Sequence, residues 1–189
     1  MTDTLASVHE RALDATGRIV AGIGDEQWDA PTPCEGWTVR DLANHLVSGN
    51  WWVGELMAGR TIDEVGDRYD GDVLGDDPGA AYRASARVAA EAFRHPDAME
   101  APVAVSYGPV PGSVYAGHRF IDVLVHGWDL ARATGQDTTL DPDLVEACRQ
   151  VVEPQAELLA ASGAFATDVE APAGADAQAR LLAALGRRP

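Results

Sequence analysis

The sequence predicts an all-α bundle with additional short helical structure near its C-terminus. Apolar residues recur at intervals of three and four over five long stretches, and most of these are opened by a capping residue or closed by glycine or proline. The one clearly β-branched run, Val103-Ala104-Val105, is short. The 189 residues, 46% of them hydrophobic, supply the core of one ordinary domain. No internal repeat and no second domain is visible, so residues 1–189 read as a single domain.

In the first helix Leu5, Val8, Ala12, Leu13, Thr16, Ile19, Val20 and Ile23 keep the helical period from Thr4, and Gly22 and Gly24 end it. Pro31, Pro33 and Gly36 prevent Asp25–Trp37 from continuing that helix, so this segment reads as an ordered loop whose flanking Trp28 and Trp37 want burial. Thr38-Val39-Arg40-Asp41 is an N-cap with an acid at its third position. Leu42, Leu46, Val53 and Leu56 then carry a second helix to about Gly59, with His45 in its middle. Residues 60–78 hold Asp63, Glu64, Asp67, Asp70, Asp72, Asp76 and Asp77 without the spacing of an EF-hand, and read as a solvated, mobile connection.

A third helix spans Pro78 to Arg94 and is ended by His95-Pro96. Val103–Tyr107, followed by a Gly/Pro-rich stretch to Gly112, reads as an extended crossing segment rather than part of a sheet. Ser113 is the expected cap of a fourth helix running to Thr134, with Gly135 as its terminator. Asp141-Pro142 opens a fifth helix that Pro154 kinks or interrupts, and Arg180–Leu185 forms a short amphipathic helix stopped by Gly186.

Composition excludes several functions. All 14 basic residues are arginine, so lysine-based Schiff-base, P-loop and general-base chemistry is absent. A net charge of −16, with no Arg-rich run, repels phosphate backbones and anionic headgroups, so neither nucleic acid nor membrane is an expected partner. The start of the chain lacks a signal-peptide pattern and no long apolar run exists, which reads as a cytoplasmic protein. Cys34 and Cys148 are expected to be thiols. Cys34 precedes a helix N-terminus, yet no histidine is near it in sequence, and a buried small hydrophobe is the expected role.

The chemistry concentrates in the fourth predicted helix. Asp122 lies in an apolar run, where an unpartnered carboxylate costs several kcal/mol. His126 is one turn onward and His118 one turn back, about 12 Å apart along the axis, so only one of them can share an ion with Asp122. Pairing of Asp122 with Arg119 or His126 alone is the non-metal alternative. His45, on the core side of the second helix, adds a third donor if the second and fourth helices are neighbours. Two histidines and one carboxylate leave an open coordination position, as catalytic rather than structural zinc sites do.

Two stretches carry a resemblance. Thr32-Pro33-Cys34-Glu35-Gly36-Trp37-Thr38-Val39-Arg40-Asp41-Leu42-Ala43-Asn44-His45-Leu46 resembles the signature of the mycothiol-dependent maleylpyruvate isomerase N-terminal domain, of the DinB-like metal-binding four-helix-bundle superfamily. Val125 to Gly135 is similar to its second signature, and Arg180 to Arg187 to the end of its short actinobacterial members. The resemblance implies a DinB-like four-helix bundle with metal ligands at His45, Asp122 and His126. Asp122 stands where the isomerases carry Glu and many DinB-like proteins carry His, and His118 becomes either a support behind the ligands or a pocket-wall residue. The additional C-terminal domain of the isomerases has no counterpart here, so a substrate other than maleylpyruvate is expected.

The implied cofactor is a divalent ion, zinc first, with nickel, iron or manganese also suited to the donor set. The implied partners are a small-molecule thiol, mycothiol, and an electrophilic substrate, with homodimerisation left open. Arg40, His118 and Arg119 are the expected substrate-binding residues, and Arg132 is expected to pair with Asp129. Two functions follow: a metal-dependent thiol transferase or isomerase, or a non-catalytic metal-binding bundle for stress response or ligand sensing.

Overall fold

The computed structural model describes residues 4–155 and 169–188. Contacts group them into two compact units, Met1–Asp137 and Thr138–Pro189. The first unit contains α1 (Leu5–Ala21), α2 (Val39–Met57), the single-turn α3 (Ile62–Val65), α4 (Pro78–Arg94), strands β1 (Pro102–Val105) and β2 (Gly108–Pro111), and α5 (Gly112–Thr134). Helices α1 and α2 each pack against both α4 and α5, which makes a four-helix bundle around one core. Leu13, Leu42, Leu46, Tyr82, Phe93, Phe120 and Leu124 fill that core. Each contributes about 1.5–3 kcal/mol by leaving water.

Local chemistry sets the helix ends. The Asp41 backbone N–H donates to Thr38 Oγ1 (3.2 Å) and the Thr38 N–H donates to Asp41 Oδ2 (2.9 Å), a reciprocal cap that starts α2 six residues before His45. Gly135 ends α5 at φ +69°, a left-handed conformation that glycine adopts without strain. Gly127 lets α5 approach α1, because a Cβ there would lie 2.2 Å from Thr16 Oγ1. The Thr16 hydroxyl donates to the Val123 carbonyl at 3.0 Å across the same contact.

Three expectations need correction. Val103 does belong to a sheet: β1 and β2 form an antiparallel hairpin, pairing Val103 with Val110 and Val105 with Gly108. Pro102, Pro109 and Pro111 lack donors and so mask the strand pattern, which a two-stranded edge ribbon tolerates. Helix α5 starts at Gly112 rather than behind a Ser113 cap. The Gly112 and Ser113 N–H groups donate instead to the carbonyls of Ala101 and Met99, both at 2.8 Å.

The acidic connection after α2 is held in place rather than left loose. The Asn44 amide donates to the Gly71 carbonyl and accepts from the Val73 N–H, both at 2.8 Å. The Ser48 hydroxyl donates to the Tyr69 carbonyl (3.2 Å), and Arg40 donates to Asp72 (2.6 Å). Charge content alone suggested solvation, but polar residues on one face of α2 supply the missing partners.

In the second unit, α6 (Pro142–Val152) is capped by Asp141 and gives way to a 3-10 turn at Glu153–Gln155, where Pro154 interrupts it. Beyond Gln155 the expected fifth helix lies outside the described residues. Helix α7 (Ala177–Ala184) begins earlier than Arg180 because Asp176 accepts from the Ala179 N–H. Cys148 is fully buried on α6, and burial pushes its thiol up to about 12. It is therefore inert.

His9, fully buried on α1, meets Phe93 edge-on at 5.0 Å. Burial, helped by the Arg119 charge, pushes its imidazole down to about 3. The unfolded chain then binds a proton between about pH 6.5 and pH 3 that the folded chain refuses, so stability is intact above 6.5 and falls as the pH drops through that window. Urea unfolding should show His9→Leu losing less stability than wild type between pH 7 and pH 4, by about 2–4 kcal/mol. Parallel pH profiles would contradict this account of His9.

Candidate metal centre

His45 comes from the middle of α2, and Asp122 and His126 come from one face of α5, one turn apart. His45 Nε2 and His126 Nε2 lie 3.3 and 3.4 Å from the same oxygen, Asp122 Oδ1. One donor atom from each of the three residues falls within 4.8 Å of the others. The imidazole rings stand almost perpendicular, 85° apart with centroids 5.2 Å apart.

The other carboxylate oxygen is occupied. Arg119 Nη1 donates to Asp122 Oδ2 at 2.9 Å, and Arg119 Nη2 donates to Asn50 Oδ1 at 3.4 Å. Gly49 makes room for the guanidinium, since a Cβ there would lie 2.5 Å from it. Burial works to raise the Asp122 carboxyl, but the Arg119 charge and the hydrogen bonds of His126 and His45 outweigh it. The carboxyl is held well below the usual range and is anionic.

His126 is held from its far side as well. Its Nδ1 lies 2.9 Å from Oδ2 of Asp129, a fully buried carboxylate, and 3.7 Å from Cys34 Sγ. The Cys34 thiol donates to the same Asp129 oxygen at 3.4 Å. Burial disfavours the imidazolium, yet the bonds to Asp122, Asp129 and Cys34 raise His126 to about 11. A cation at this point would take the place of the proton on Nε2, while Asp129 keeps Nδ1–H and so fixes the tautomer.

These donors fit a divalent ion. Two imidazole nitrogens and one carboxylate oxygen converge, the other polar atoms of Asp122 and His126 are tied down, and His45 is the most open member, with 36% side-chain exposure against 14% for His126. Trp37 lies over both imidazoles, 5.1 Å from His45 edge-on and 6.5 Å from His126 in near-parallel stacking. A cleft of about 450 Å³ opens beside His45, walled by Trp37, Asn44, Ser48 and Trp52 on one side and Tyr69–Gly71 on the other.

Residues 9–131 match the family described as the mycothiol maleylpyruvate isomerase N-terminal domain. The chain belongs to that family. Two uncharacterized proteins of Mycobacterium tuberculosis, from strains CDC 1551 / Oshkosh and H37Rv, are each 44% identical over 151 residues, 78% of this chain and 79% of theirs. Crystal structures of the mycothiol-dependent maleylpyruvate isomerase and of a mutant of it superpose with TM-scores of 0.57 and 0.58. At 18% and 17% identity, covering 85% of this chain and 68% of theirs, they share its all-α, DinB-like fold.

The remaining expected residues of this family member lie elsewhere. Arg40 donates to Asp72 and to the Gly75 carbonyl, Arg119 is buried on Asp122, and the His118 ring is 2.8 Å from the Tyr107 hydroxyl. None of the three lines the cleft. Arg132 sits over the Trp128 ring at 5.9 Å, and Asp129 faces His126 and Cys34 instead. Cys34 and Trp37 were both expected to be buried packing residues. Cys34 in fact faces His126, and Trp37 is 38% exposed over the histidines. The Asp129 role had a sequence signal, since His126 precedes it by three residues within an apolar helix.

Zinc titration followed by elemental analysis should find about one ion per chain in His118→Ala and none in His126→Ala. Asp129→Asn should retain the site but weaken it about 10- to 100-fold. Full zinc retention by His126→Ala would remove this cluster as the metal centre.

Proposed function

We propose that the chain is a divalent-metal-binding, thiol-dependent transferase or isomerase, with His45, Asp122 and His126 as ligands, zinc as the ion and mycothiol as the cosubstrate. The observation that carries this reading is the convergence of the three donors at the edge of an open cleft. When bound, a divalent ion there supplies Lewis acidity that keeps a thiol in its thiolate form at neutral pH.

The protein's own residues do the positioning. Arg119 holds one oxygen of Asp122, so a single carboxylate oxygen faces the donors, and Asp129 aims His126 Nε2 at the same point. Trp37 lies over the histidines and limits water beside them, while the cleft next to His45 gives the second reactant a place to stand. Membership of the mycothiol maleylpyruvate isomerase N-terminal domain family supports the choice of thiol.

Turnover of a panel of electrophiles, with and without mycothiol and with and without chelator, tests the reading. Activity should require both thiol and metal and should fall at least about 100-fold in His126→Ala, as loss of a ligand demands. Stoichiometric metal without thiol-dependent turnover of any electrophile would instead favour a non-catalytic metal-binding bundle.

A further inference from the structure

The cleft beside His45 is chemically lopsided. Asp41 and Asp70 stand on its walls, and among its described lining residues there is no arginine. The neighbouring guanidinium groups are committed: Arg40 to Asp72 and the Gly75 carbonyl, Arg68 to Glu55, and Arg119, behind Gly49, to Asp122 and Asn50. Asp41 is one helical turn, about 6 Å, from His45 along α2, and Trp37 and Trp52 complete the walls. Such a cleft in a chain of net charge −16 carries a negative potential focused by low-dielectric walls. Aromatic rings beside carboxylates are also the setting in which organic cations are held by cation–π attraction.

Away from His45, a dicarboxylate would find no arginine among the described lining residues to receive its outer carboxylate, and Asp41 and Asp70 would repel it. We propose that the cleft takes a ligand whose end remote from the histidine cluster is a quaternary ammonium or protonated amine, and that it rejects dicarboxylates. This assignment of substrate class rests on the reading of the His45 side as the reactant cleft of the metal centre. It separates the outer part of the ligand, selected by Asp41, Asp70 and the two tryptophans, from the inner part, which meets the histidines.

Saturation-transfer NMR at 0.15 M salt, with choline and maleate as probes and on protein stripped of metal so that maleate has no ion to coordinate, tests it. Choline should bind about tenfold more tightly than maleate. Asp70→Asn should weaken choline about threefold and Trp52→Leu by a similar factor, while Asp14→Asn, on the separate groove between α1 and α4, should leave it unchanged. Maleate binding as tightly as choline would overturn the proposal, as would no choline signal or equal weakening by Asp14→Asn. Zinc content measured on the same variants after zinc loading separates the two claims. Loss of zinc with choline selectivity intact would sink the metal reading and leave the charge preference of the cleft standing.

Discussion

The charge on Asp122 is the constraint around which this bundle is organised. A carboxylate on the inward face of α5 is intolerable alone, and the structure answers with Arg119 on one oxygen and two imidazoles on the other. Arg119 is bonded in turn to Asn50 of α2, Asn50 donates to Ser85 of α4, and Ser85 donates to the Tyr82 carbonyl. One polar thread therefore crosses three helices of the bundle. Replacing any link leaves a buried polar group unmatched, so the site's precision and the packing of the bundle are one property.

Around that centre the side chains divide by the face of His126 they serve. Nε2 points to Asp122 and toward His45, and Nδ1 points to Asp129 and Cys34. Cys34 reaches the histidine only because its loop is folded back on itself, with the Thr32 N–H donating to the Trp37 carbonyl and the Val39 N–H to that of Ala30. Trp37, carried by the same turn, stays partly in solvent because its ring serves the histidines rather than the core.

Legibility in the sequence followed the range of the interactions. Helical period and capping residues gave α1, α2, α4 and α5 nearly to the residue, since those signals are local: Thr38 and Asp41 cap α2, and Gly135 terminates α5. His45, Asp122 and His126 stood out as polar groups on apolar faces. What stayed hidden depended on partners far along the chain. Cys34 meets His126 across 92 residues, and Asn44 meets Gly71 across 27. Asp129 was ambiguous because His126 and Arg132 both lie three residues from it, and only burial chooses between them. The hairpin was missed because its prolines erase the ladder donors that a strand pattern relies on.

Asn44 spends both ends of its amide on the backbone of residues 71 and 73, and it is the immediate neighbour of His45. The outer wall of the cleft is thus bolted to the helix that carries one of the imidazoles. An arriving molecule meets a mould already set, and its binding energy is not consumed in ordering that wall. A pocket set in this way sorts molecules by fit at first contact, and residues 69–73 carry that part of its shape.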